Sequence, residues 1–71
     1  MSDLSRDQTV ALAYIRREGE ASESELEWEG LHAPWRTLDA LSRRGLVVRG
    51  DWLGPEDGHV WTLAADTKAT G

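Results

Sequence analysis

The chain has 71 residues, with 8 Lys and Arg against 13 Asp and Glu, giving a net charge of −5. That length supports one small core and excludes enzymes that need a deep cleft between domains. The absence of cysteine excludes a disulfide framework and a cysteine-based zinc site, while 39% hydrophobic residues and 4 Trp give enough apolar area to oppose disorder.

Ser5-Arg6-Asp7-Gln8 reads as a capping box, in which a serine hydroxyl accepts from the amide three residues on and the glutamine reaches back. A first helix starts there. It carries Val10, Ala11, Tyr14 and Ile15 on one broad face, places Arg16 and Arg17 at the negative end of its dipole, and stops at Gly19. A second box, Ser22-Glu23-Ser24-Glu25, opens a short acidic helix with Leu26 as its core residue and Gly30 as its left-handed end. Pro34 is tolerated in the first turn of a third helix, where Pro34, Leu38 and Leu41 form one apolar stripe and Gly45 ends the run after Arg44.

Residues 46–53 and 59–64 are β-branched and aromatic, and Gly54-Pro55-Glu56-Asp57-Gly58 between them is strong turn chemistry, which predicts a two-stranded hairpin. On its strands Trp61 alternates with Leu63, and Trp52 shares a face with Leu46 and Val48, so both Trp are expected to pack on the helices. The domain is expected to cover residues 1–65, with 66–71 as a flexible polar tail. Met1-Ser2-Asp3 lacks the basic and apolar regions of a signal peptide and no apolar stretch would span a bilayer, so a cytoplasmic protein without a membrane partner is expected.

Three helices followed by a hairpin, with the short turn Gly30-Leu31-His32-Ala33 before the third helix, is the element order of an α+β winged helix-turn-helix domain. The segment Leu38-Asp39-Ala40-Leu41-Ser42-Arg43-Arg44-Gly45-Leu46-Val47 resembles the end of the recognition helix and first wing strand of MarR-like prokaryotic or phage regulators. The resemblance covers about residues 5–65. It implies a transcription regulator whose third helix enters the major groove of double-stranded DNA while residues 49–59 approach the backbone or minor groove.

The residues themselves support two readings. Between positions 32 and 50, Arg36, Arg43, Arg44 and Arg49 stand against Asp39 alone, a local balance that suits a phosphate backbone. With the apolar stripe buried, Arg36 faces outward and can offer two hydrogen bonds to guanine, Arg43, Arg44 and Arg49 suit phosphates, and His32, Trp35 and Thr37 flank the same surface. The bland alternative is a solvated face on which Asp39 pairs with Arg36 and Arg43. Against DNA stand the carboxylates Glu18, Glu20, Glu23, Glu25, Glu27 and Glu29, and the acidic turn residues Glu56 and Asp57. Some of these serve the helix dipole or solubility. As a binding surface, Glu25, Trp28 and Glu29 would dock on a basic protein surface, making the chain an adaptor or inhibitor. A single module of this kind reads few base pairs, so a homodimer, with the first helix and the tail as its surfaces, or recruitment by a larger partner is expected.

No catalytic reading emerges. The serines at 5, 22, 24 and 42 have no neighbouring base in sequence, there is no Gly-rich phosphate loop, and His32 and His59 lack metal-ligand spacing, so neither a metal nor a cofactor is expected.

Overall fold

The structure, a computed structural model, describes residues 4–64, and the tail expected at 66–71 lies outside them. Along the chain run α1 (Arg6–Glu18), β1 (Glu20–Ser22), α2 (Glu23–Trp28), α3 (Pro34–Arg43), β2 (Val47–Trp52) and β3 (His59–Leu63). Both capping boxes form. Ser5 Oγ accepts from the Gln8 amide at 3.2 Å while Gln8 Oε1 accepts from the Ser5 amide at 3.0 Å, and Ser22 and Glu25 repeat the exchange at 3.2 and 2.8 Å. Each satisfies two amides that a helix start would otherwise leave unpaired. At its far end α1 closes on Gly19, whose amide donates to the Ile15 carbonyl at 2.7 Å. No helix among the described residues is long and apolar enough to cross a membrane.

The buried side of α1 is Ala11, Leu12 and Ile15, with Val10 and Tyr14 at its margin. It packs on α3, which buries Pro34, Leu38 and Leu41 as its stripe requires, and Leu26 of α2 and Leu31 of the following turn complete the helical side of the core.

The sheet departs from a simple hairpin. Residues 20–22, directly after the Gly19 turn, form a third strand that pairs antiparallel with β3, Ala21 opposite Trp61 and Ser22 opposite Val60. The strand order is β1-β3-β2, so β3 is central. Ser22 ends β1 and caps α2 at once, which is why three residues suffice to turn the chain from sheet to helix.

Register also corrects the expected inward face. Val47 lies opposite Leu63 and Arg49 opposite Trp61. Because directly opposed residues share a face, Val47 (2% exposed) joins Trp61 (3% exposed) in the core, while Leu46 is only partly buried against it and Val48 is left exposed. Between Arg49 and Trp52 the ladder slips: Gly50 and Asp51 oppose Val60 alone, and Trp52 then pairs with His59. This β-bulge inverts the alternation, so Trp52 emerges on the same side as Trp61. A Cβ on Gly50 would lie 2.9 Å from Val60 Cγ1 and 3.1 Å from the Val60 carbonyl oxygen, so any other residue there would force Val60 to shift. Trp52, expected in the core, instead lies at its rim near Trp35 and is 58% exposed.

Candidate nucleic-acid interface

Pro34 at the first position of α3 fixes the helix start, and burial of Pro34, Leu38 and Leu41 turns the remaining positions outward. His32, Trp35, Arg36, Arg43 and Arg44 are exposed and Thr37 is half-buried. Asp39 pairs with Arg43, Nε to Oδ2 at 3.1 Å, while Arg36 turns instead over the ring of Trp35, 5.7 Å from its centre. An exposed pair of this kind contributes at most about 1 kcal/mol, so Arg43 can exchange Asp39 for another anion at little cost. Arg36 and Arg43 lie on one stripe, about 10 Å apart along the helix axis, whereas Trp35 and Asp39 lie on the side toward the sheet. Arg49, from β2, lies on that sheet side with Trp35 and Asp39.

The wing is held back against α2. Glu23, the first residue of α2, accepts from the His59 amide at 3.1 Å and from the Trp61 indole at 3.0 Å, and His59 Nδ1 lies 3.4 Å from the same oxygen. One residue on, Ser24 donates its amide to the Asp57 carbonyl at 3.3 Å and its hydroxyl to the Asp57 carboxylate at 2.9 Å. Two of the carboxylates that argue against DNA, Glu23 and Asp57, are therefore structural ties between wing and helix. Glu25 is also engaged, but it ties α2 to α1, completing the Ser22 capping box and accepting from the Tyr14 hydroxyl at 3.0 Å. The Ser22 amide is the main cause holding the Glu25 carboxyl below its ordinary value, opposed by partial burial and helped by Tyr14, whose hydroxyl is pushed up in turn mainly by that same hydrogen bond. Trp28 and Glu29, at the far end of α2, are exposed, Trp28 at 89%.

Between α2–α3 and the wing runs a groove made of two adjoining cavities of about 270 and 290 Å³, which share Glu23, Trp35 and Trp52. The inner one reaches Asp39, Arg49, His59 and Trp61, and the outer one reaches Glu27, His32 and the wing turn from Pro55 to Gly58. Trp52 and His59 meet edge to face at 4.9 Å. Trp52, Glu23 and His59 belong to this surface but were not among the residues expected from the sequence. Gly50 inside a strand is the one signal of a bulge that could have relocated Trp52.

Helices α2 and α3 joined by a tight turn, α1 behind them, and β2–β3 projecting as a wing define a winged helix-turn-helix domain. Solved structures similar to this chain are MarR-type winged-helix regulators. A cysteine-to-serine mutant of MarR from E. coli is 25% identical with a TM-score of 0.75, over 96% of this chain and 52% of that one. Wild-type MarR in its apo form is 26% identical with a TM-score of 0.73, over 94% and 52%. BpsR of Bordetella bronchiseptica, whose DNA binding is regulated by 6-hydroxynicotinic acid, shares the fold at 23% identity and a TM-score of 0.71, over 97% and 51%. The chain thus spans about half the length of each of these proteins. No protein-family model matches it, and no curated protein does.

Proposed function

We propose that the chain is the DNA-binding module of a transcription regulator, non-catalytic and cytoplasmic, formed by residues 1–65, with α3 presented to the major groove and the wing to the flanking backbone. The observation that carries this reading is the match of nearly the whole chain to MarR, combined with outward guanidiniums on the helix and strand that would meet DNA in that fold. Arg36 and Thr37 would meet base edges, Arg43, Arg44 and Arg49 phosphates, and His32 and Trp35 the margin of the contact. Three carboxylates that would repel phosphate are engaged inside the protein, which supports the reading further. A module of this size gains useful affinity as a homodimer or within a larger assembly.

The test is titration of mixed-sequence duplex into the protein, followed by Trp fluorescence at about 50 and about 200 mM salt. If each of the three phosphate-facing arginines displaces one counterion, affinity should fall roughly 40-fold over that range. Absence of any saturable signal at the lower salt would overturn the reading.

A further inference from the structure

We infer that the groove between α2–α3 and the wing is a docking site for a basic segment of a protein partner, seating an arginine or lysine side chain between Trp35 and Trp52.

Trp35 and Trp52 are 55% and 58% exposed although the core already has Trp61 at its centre. They come from different elements, one from α3 and one from the bulged strand, and both line both cavities. Two large aromatic surfaces held open beside each other are the usual anchors of an interface. The charge around them selects the partner. Glu23, Glu27, Asp39, Glu56 and Asp57 line the groove against a single guanidinium, that of Arg49. Glu23 and Asp57 already hold internal donors and Asp39 the Arg43 guanidinium, so the carboxylates that select the partner are chiefly Glu27 and Glu56, which stand exposed at the outer end. An aromatic wall in a negative field favours a cation. The protein shows the chemistry itself, since Arg36 lies over the Trp35 ring. The groove runs from the wing turn past Trp52 to Asp39, with carboxylates at both ends. An extended chain carrying repeated positive charges matches that layout better than one compact cation would.

Trp35 and Arg49 also belong to the proposed DNA-facing surface, so a basic segment seated here would exclude DNA from the wing side of α3. The docking itself does not depend on the DNA reading.

The experiment uses the whole chain and a short fluorescein-labelled peptide alternating arginine with serine, followed by anisotropy at about 150 mM salt to screen long-range attraction. A peptide with glutamate in place of arginine is the control. The arginine peptide should bind saturably and the glutamate peptide should not. Trp35→Ala and Trp52→Ala should each weaken binding about 5- to 30-fold, and Glu27→Gln with Glu56→Gln should weaken it as well, whereas Trp28→Ala should bind as the parent does. Circular dichroism checks that each variant folds, and the glutamine pair, which changes only exposed side chains, decides if a Trp variant does not. Failure of the arginine peptide to bind, or binding by both folded Trp variants as tight as that of the parent, overturns the inference. Parallel titration with duplex DNA separates the two readings: DNA binding without peptide binding removes only this one, and peptide binding without DNA binding removes only the regulator.

Discussion

The indole nitrogen of Trp61 donates to the carboxylate of Glu23 at 3.0 Å across 38 residues of sequence. The donor sits on the central strand and is almost wholly buried, while the acceptor is the first residue of α2, so one bond fixes the wing to the helix-turn-helix. The same oxygen receives the His59 amide. Glu23→Ala would leave both donors without that acceptor, and an unsatisfied buried donor costs about 1 to 3 kcal/mol. Urea denaturation should show a lower midpoint with an unchanged slope. An unmoved midpoint would mean that water replaces the carboxylate without loss.

Gly58 and Gly45 give a matched comparison. Their φ values are 76° and 78°, a left-handed conformation that costs an L-residue on the order of 1 kcal/mol. A Cβ at Gly45 meets nothing within 4 Å, whereas one at Gly58 collides with the Glu23 carboxylate. Gly45→Ala should therefore lose only the conformational cost, and Gly58→Ala should lose about 1 to 3 kcal/mol more by pushing Glu23 off its donors. Equal losses in thermal unfolding would show that Glu23 swings aside freely.

On DNA, Arg36→Ala should reduce affinity for a specific site by about 1 to 3 kcal/mol, while Glu27→Ala should leave affinity unchanged or raise it. The two substitutions separate the helix face from the acidic rim. Negligible effects of both, measured by the same fluorescence titration, would remove α3 from the interface.

Stability should depend on pH through Glu25. Its carboxylate accepts from the Ser22 amide and the Tyr14 hydroxyl, which lowers its proton affinity in the folded state. The folded form then binds this proton less tightly than the unfolded chain does. The contribution is present above the ordinary glutamate value of about 4.3 and is lost as pH falls through the lower folded value. Melting temperatures of the parent and Glu25→Gln should converge on acidification from about pH 5 to about pH 3. A constant gap between them would place the effect outside this carboxylate.

Local chemistry carried much of this fold into the sequence. Ser5 with Gln8 and Ser22 with Glu25 announce helix starts within a few residues of themselves, and Pro34 with Leu38 and Leu41 orients α3 without reference to any other element. What was unreadable is non-local. Strand β1 is three residues long, too short to show a period, and is defined only by its partner β3. The position of Trp52 depends on two residues opposing one at Gly50 and Asp51, and misreading the register by one residue exchanges the faces of the strand. In the surface groove, the outward positions on α3 follow from its stripe, but the tie from Glu23 to Trp61 joins residues that nothing in the sequence pairs. A buried indole announces that it needs an acceptor; it does not say which one.

The central place of β3 has a mechanical consequence. It is hydrogen-bonded to β2 on one edge and to β1 on the other, and β1 is continuous with the end of α1 and the cap of α2. The wing cannot be levered away from the body without breaking the β1–β3 ladder and the Glu23 bonds together. A load applied at its tip would be delivered through β1 to the junction between the first two helices.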